Sequence, residues 1–290
     1  MKKIIILIPV YNDWQSLIKL MKELNTVIKK IDYVNFHCVI INDASSIKTP
    51  EIKKPNNIKS LRIINMKKNM GHARCNAFGI KHLIENDIFD HIILMDGDGE
   101  DRPEEIELLT NKKNLDLNIS IVGKRIKRSE GLIFKFLYQL HKIITYIFTG
   151  KIINFGNYSC ITIKDAKKLS MEKSMWSSYS GSVKKHLNNL TYTDSKRGLR
   201  YYGPSKMSLF NLIIHSFSII AVFKNEVFIR SALMIFFVSF LTPNLGIIIT
   251  IFQFILVIFC LFIFLVSLRE NEDSLLNSDS NMSDIETYTH

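Results

Sequence analysis

Metal-type cysteine spacing is absent from this chain. Its four cysteines, Cys38, Cys75, Cys160 and Cys260, are scattered. Each sits in an apolar or helical context that suits a small buried thiol, so a reducing compartment is expected. An aromatic RNA-binding signature and an evident helix-turn-helix are also missing, which argues against nucleic acid as a partner. A secretory leader is not expected either: after Met1-Lys2-Lys3 the apolar run Ile4 to Ile8 is only five residues long before Pro9. A signal h-region needs roughly 7–15. The run reads instead as a first buried strand.

Charge is missing from one long segment and of one sign in another. Residues 245–267 carry no charge over 23 positions, enough to cross a hydrocarbon core that needs about 20. Upstream, Ser231 to Leu241 is equally apolar but short, and Thr242-Pro243-Asn244 reads as a turn. A transmembrane hairpin over 226–268 follows, with 227–241 as its first arm. The flanking Lys224, Arg230 and Arg269 put both ends on the cytoplasmic side of a multi-pass membrane protein. Residues 270–290 hold six acids and no Lys or Arg, so residues 1–269 carry 38 basic against 21 acidic groups, net +17. That body suits phosphate-bearing partners or an anionic membrane surface. The acidic tail, 269–290, is expected to be disordered.

What is present has α/β order. Apolar runs of strand length at 3–8, 36–41, 60–64, 91–95 and 119–123 alternate with helical spacing at 14–30, 71–86 and 103–111. This predicts a largely parallel sheet with helices on both faces. Ligands of such sheets gather at the carboxyl ends of the strands. Two amphipathic helices follow, at about 132–149 and 205–223, with core packing and a lipid interface both open to them.

The strand at 91–95 runs into DGDGEDRPEE, six carboxylates between residues 96 and 105 in a chain of net charge +11. Asp96 and Asp98, two apart in extended backbone, point the same way and repel. A divalent metal removes that conflict and keeps open positions for phosphate oxygens. As an EF-hand the loop fails, because Asp101 replaces the required glycine. Asp101, Glu104 and Glu105 read as a solvated, dipole-favouring first turn with Pro103 near N1.

Six motifs in order then resemble the family 2 glycosyltransferases of GT-A (Rossmann-like) fold, and within them the membrane-bound polyprenyl-phosphate glycosyltransferases. They are IPVYND (8–13), IINDASS (40–46), NMGHARCNAFGI (69–80), LMDGDGEDRPEEI (94–106), VGKR (122–125) and RYYGPSKMSL (200–209). The resemblance covers 3 to about 268 and implies a nucleotide-sugar-binding catalytic domain over 1–225. It places Pro9, Tyr11 and Asp13 beside the nucleotide base and Asp43 on base or ribose, with Asn42 where a second acid is usual. Asn69 and Gly71 join the substrate-binding set. Asp96 and Asp98 match the metal-binding DxD for Mg or Mn, and Glu100 is a further metal contact. Arg125 matches a catalytic basic residue, with Lys124 replacing a small hydroxyl residue. Arg200, Ser205 and Lys206 match an element near donor diphosphate or acceptor phosphate, Lys206 in the catalytic set. The implied partners are a UDP- or GDP-sugar, polyprenyl phosphate and membrane lipid, and self-association is compatible with them.

Transfer to a sugar hydroxyl needs a general base. Between 131 and 193 the only acids are Asp165 and Glu172, which read as helix caps or surface charge, and the paired-acid motif of hydroxyl-acceptor relatives is missing. A phosphate acceptor needs no such base, so an inverting transfer to polyprenyl phosphate is expected. Transfer to a glycan hydroxyl, and an inactive nucleotide-sugar-binding scaffold, stay open as alternatives.

Overall fold

The structure is a computed structural model and describes residues 1–288 apart from 128–131, 205–207 and 241. Its elements run β1 (Lys2–Val10), α1 (Trp14–Ile28), β2 (Val34–Asn42), β3 (Leu61–Met66), α2 (His72–Asn86), β4 (His91–Leu94), α3 (Ile106–Leu109), α4 (Lys112–Asp116), β5 (Ser120–Lys127), α5 (Leu132–Thr149), β6 (Phe155–Thr162), α6 (Ile163–Ser170), α7 (Tyr179–His186), β7 (Leu190–Lys196), α8 (Leu209–Ala221), α9 (Lys224–Ser239), α10 (Thr242–Ser267), α11 (Glu272–Leu276) and β8 (Met282–Tyr288). They build one sheet of order β7-β5-β6-β4-β1-β2-β3-β8.

Of the five strands expected from apolar runs, β1 to β4 form its parallel centre, and β5 stands outside it, antiparallel to β6 and parallel to β7. Ile4 to Ile8 are buried on both faces, which is why β1 reads as a continuous run rather than an alternation. Ile4, Ile6 and Ile8 pack under α1 with Leu17, Leu20 and Leu24. Ile5 and Leu7 pack under α2 with Phe78 and Ile80. β6 is antiparallel to both β4 and β5, so its amino end lies beside the carboxyl end of β4.

The tail differs from expectation. Residues 272–288 form α11, a 3-10 turn at Ser278–Asn281 and β8, which pairs antiparallel with β3. Sheet pairing supplies the order that composition withheld: β3 would otherwise present an unpaired edge, and acidic residues suit the basic body.

Helices α5, α8, α9 and α10 pack together around Ile220, Val227, Ile263 and Val266. α9 and α10 are antiparallel: Gln253 donates to Ser239 at one end (2.9 Å), and Lys224 lies 3.5 Å from Glu270 at the other. The stretch from Gly246 is long and apolar enough to span a membrane, while α8 and α9 meet at 82°. At Gly246 the backbone leaves helical geometry, so the expected turn at 242–244 is a kinked helical start. The apolar stripe of α5 is not core: Phe136, Leu140 and Ile143 are 67%, 41% and 56% exposed.

Candidate active site

The loop after β4 carries the DxD pair, and its shape is fixed by buried groups. Asp101 is 5% exposed and its carboxylate accepts the Asp96 N–H at 2.9 Å. The expectation of a solvated Asp101 is therefore corrected; so is that for Glu105, which accepts from the Ser195 hydroxyl (2.7 Å) and the Lys196 N–H (2.8 Å). Gly99 has φ +87° and faces the Tyr201 ring, which a Cβ would strike. Only glycine meets both demands cheaply. Tyr201 N–H donates to the Asp98 carbonyl at 2.9 Å and Gly198 N–H to the Glu100 carbonyl at 2.8 Å, so segment 197–202 lies along the DxD loop.

Three acids of the loop meet basic side chains. Asp96 accepts from Asn157 (3.2 Å) and lies 3.1 Å from His72 Nε2. Arg200 donates to Asp98 at 2.7 Å and also reaches Asp13. Arg197 holds Glu100. Glu100 is thus paired with a guanidinium, as Asp98 is. Among the described residues, no group of three or more His, Cys, Asp or Glu is arranged to hold a metal ion. Arg125 lies against Gly156, where a Cβ would meet its guanidinium.

Burial, then the charges of Asp96 and Glu100, push Asp98 up to about 6. Burial and Asp96 push Asp101 up to about 7. Burial also opposes the charge on Asp96, but His72, Arg197 and Arg125 outweigh it and hold that carboxyl well below the usual range. Burial works against the His72 cation too, and Asp96 reverses it, raising the imidazole pKa. A hard divalent cation fits this donor set through the oxygens of Asp96 and Asp98, since added positive charge relieves the repulsion felt by Asp98.

A second cluster lies two strands over, after β2. Asp43 is 4% exposed, and its carboxylate accepts the N–H groups of Met70 (2.7 Å) and Gly71 (2.9 Å). Burial raises its pKa against the effect of those donors. Asn69 donates to the Asp43 carbonyl at 3.2 Å. Asp43 therefore secures the 69–71 loop. Pro9 is buried near the end of β1, its carbonyl 3.3 Å from where a Gly97 Cβ would stand, while Tyr11 is 39% exposed at the mouth.

The structure thus brings Asp13, Asp96, Asp98, Glu100, Arg125 and Arg200 to one site, with Asp43, Asn69 and Gly71 adjoining. Ser205 and Lys206 lie outside the described residues. His72, Asp101, Asn157 and Arg197 are the residues that sequence reading did not select. His72 and Arg197 sit inside quoted motifs or next to them, whereas Asn157 belongs to a strand the reading did not find. Asp165 and Glu172 are remote in role: Asp165 accepts from Ser120 and donates its N–H to the Thr162 hydroxyl that caps α6 at the amino end of β4, and Glu172 pairs with His186 at 3.2 Å.

Known proteins resemble this chain in sequence and in fold. Two undecaprenyl-phosphate 4-deoxy-4-formamido-L-arabinose transferases, from Salmonella choleraesuis and Salmonella typhimurium, are each 29% identical over 164 residues, 55% of this chain and 47% of theirs. The match thus spans about half the length of those relatives. Staphylococcus aureus TarS 1-349, solved with UDP-GlcNAc, superposes with TM-score 0.51 at 14% identity, covering 83% of this chain and 73% of that one. Mycobacterium tuberculosis glucosyl-3-phosphoglycerate synthase, solved with Mn2+, UDP and phosphoglyceric acid, gives 0.52 at 10% identity, covering 78% of each. These neighbours establish the GT-A fold. The family profile of glycosyl transferase family 2 matches residues 5–172, more than half of the sequence and all of the strands that carry the DxD loop, and the chain belongs to that family.

Proposed function

We propose that this glycosyltransferase is membrane-bound and moves a sugar, with inversion, from a nucleotide-diphosphate sugar to a polyprenyl phosphate. The observation that carries the reading is the join between a charged site and a bare apolar surface. Strand β5 holds Arg125 in the site, and the chain then reaches α5, whose Phe136, Leu137, Leu140 and Ile143 are exposed. A phosphate head at the site with its hydrocarbon tail along α5, α8 and α10 satisfies both surfaces.

The donor diphosphate is held where Arg200 now bridges Asp13 and Asp98. A divalent cation on Asp96 and Asp98 would neutralise charge on the leaving diphosphate. Arg200, which pairs with Asp98 here, would be the cation nearest the diphosphate oxygens. Asp101 keeps the loop in shape through the Asp96 N–H, and His72 with Asn157 orients the Asp96 carboxylate. Arg125 receives the acceptor phosphate, and the resemblance assigns Lys206 the same task. One phosphate oxygen attacks the anomeric carbon, the bond from that carbon to the diphosphate oxygen breaks, and the nucleotide diphosphate leaves with the electron pair. No proton is removed from the acceptor. That fits the commitment of Asp165 and Glu172 to Ser120 and His186, away from the site.

Two membrane crossings are favoured over one. β8 pairs with β3 of the catalytic sheet, so the chain beyond α10 lies on the catalytic side. An odd number of crossings would forbid that pairing. Lys224 at the start of α9 beside Glu270 after α10 supports the same hairpin, with the catalytic domain on the cytoplasmic face. The test uses membranes containing the full chain, radiolabelled UDP- and GDP-sugars, polyprenyl phosphate, and Mn2+ or Mg2+. Metal-dependent label in the organic phase, lost in Asp98→Asn, is the expected result. Label appearing only on an added glycan acceptor overturns it.

A further inference from the structure

The acidic tail ends in a strand, and its side chains reach toward the nucleotide end of the site. Asp284 lies opposite Asn65 in the β3–β8 ladder, and Glu286 opposite Ile63. The Asn65 amide nitrogen donates to both carboxylates, at 2.9 Å each. Ionised carboxylates only accept, so they fix the orientation of that amide. Its oxygen must then face Asn42, whose nitrogen donates to it at 2.9 Å. The Asn42 oxygen is left to accept the Ser45 N–H, at 3.1 Å. A polarity set by the tail thus runs through two amides into the loop that follows Asp43.

A second arm reaches the other wall of the same corner. Asn281 accepts the Lys67 N–H at 2.7 Å, and its amide donates to the Lys68 carbonyl at 3.1 Å. Lys67 Nζ donates to the Ser280 carbonyl at 2.9 Å. Residues 67 and 68 lead directly into Met70 and Gly71, whose N–H groups hold the Asp43 carboxylate. Asp43 therefore sits between two segments, and the tail grips both. The strained link Ala44, at φ +54°, and the contact of Asn12 N–H with Ser45 Oγ (2.9 Å) pass the same constraint to the β1–α1 loop.

We propose that Asp284 and Glu286, acting through Asn65 and Asn42, are positioning residues that hold the nucleotide-binding corner around Asp43 in its binding shape. The inference rests on the nucleotide-sugar reading above. It also gives Asn42 a role: with the Asn65 oxygen turned inward by the tail, position 42 has to donate. A carboxylate there would face another acceptor.

The experiment measures UDP and GDP binding by calorimetry on the full chain in detergent, with lipid labelling in parallel. Asp284→Ala with Glu286→Ala leaves the β3–β8 backbone pairing in place and should weaken nucleotide binding about tenfold, the scale of one lost charge-assisted hydrogen bond. In turnover this reads as a raised donor KM with kcat at saturating donor held within about twofold. Asp284→Asn with Glu286→Gln keeps an acceptor oxygen at each position and should restore binding. Asn42→Asp alone should also weaken binding about tenfold. Combined with the double alanine change it should cost no more than either alone, because the freed Asn65 amide can turn its nitrogen to the introduced carboxylate. Parent-like binding in the double alanine variant, or additive losses with Asn42→Asp, overturns the inference while leaving the nucleotide-sugar reading intact. No binding of either nucleotide by the parent chain overturns both.

Discussion

Two acidic segments of this basic protein behave in opposite ways. In the loop after β4 the acids are buried and close together, and Asp98 and Asp101 are harder to ionise than an ordinary aspartate. In the tail they are spread along an edge strand and a turn. Asp279, for example, meets Lys81 at 2.5 Å and His82 at 3.4 Å, and its pKa is lowered. Carboxylates make a site when burial and mutual repulsion leave charge to be neutralised by something that arrives. They make a fastening when they stand apart near the surface and meet cations or amides of a neighbouring element, as Asp279 meets Lys81 and His82.

The sharpest separation comes from Asp98→Asn. Activity should fall at least about 100-fold, since a ligand for the leaving diphosphate's charge is lost. Thermal stability should hold or rise, because the change removes a repelled charge. A melting curve taken beside the lipid-labelling assay reads both, and a large loss of Tm would break the comparison. Deleting residues 282–288 is next. It exposes the β3 edge and should cost about 1–3 kcal/mol and lower chain solubility, visible by light scattering and denaturant titration.

Stability against pH should then take opposite signs in the two regions. Asp101 has a folded pKa of about 7, above its unfolded value. The folded state binds the proton more tightly, so the contribution is full at low pH and lost as pH rises toward 7. Asp101→Asn should flatten that decline. Asp279 has its folded pKa lowered, by burial opposed and outweighed by Lys81 and His82. Its contribution is present above the usual aspartate range and lost as pH falls through the folded value. Asp279→Asn should lower Tm near neutrality by a degree or two, about 0.5 kcal/mol after screening of a partly exposed pair, and do nothing in strong acid. Parallel Tm profiles for the two variants would erase the distinction. The smallest perturbation is a single cysteine at Ser280 in sealed vesicles. It should label from the same side as a cysteine on the catalytic domain, and labelling from the other side refutes the hairpin.

Much of this was readable before folding. The central strands announce themselves because both faces are buried, and the DxD loop because acid is rare at the end of an apolar run. β6 was not found: FGNYSCIT carries polar residues where its amino end enters the site, with Asn157 on Asp96. β7 and β8, LTYTDSK and MSDIETY, are edge strands with mostly part-exposed residues, so no apolar run marks them. The partner that orders β8 lies more than 200 positions away: Asn65 and Asp284 are 219 apart, and no local pattern encodes such a contact. The solvated reading of Asp101 failed for a related reason, since the N–H it accepts belongs to a loop that only the folded sheet creates.

The position of β8 also sets an order of events during synthesis. A ribosome delivers β3 early, with its edge unpaired, and releases the strand that covers it only after both apolar helices have emerged. The corner around Asp43 is therefore the last part of the catalytic domain to be finished. A chain stalled before residue 282 would carry every residue of the DxD loop and still lack the strand that fastens that corner.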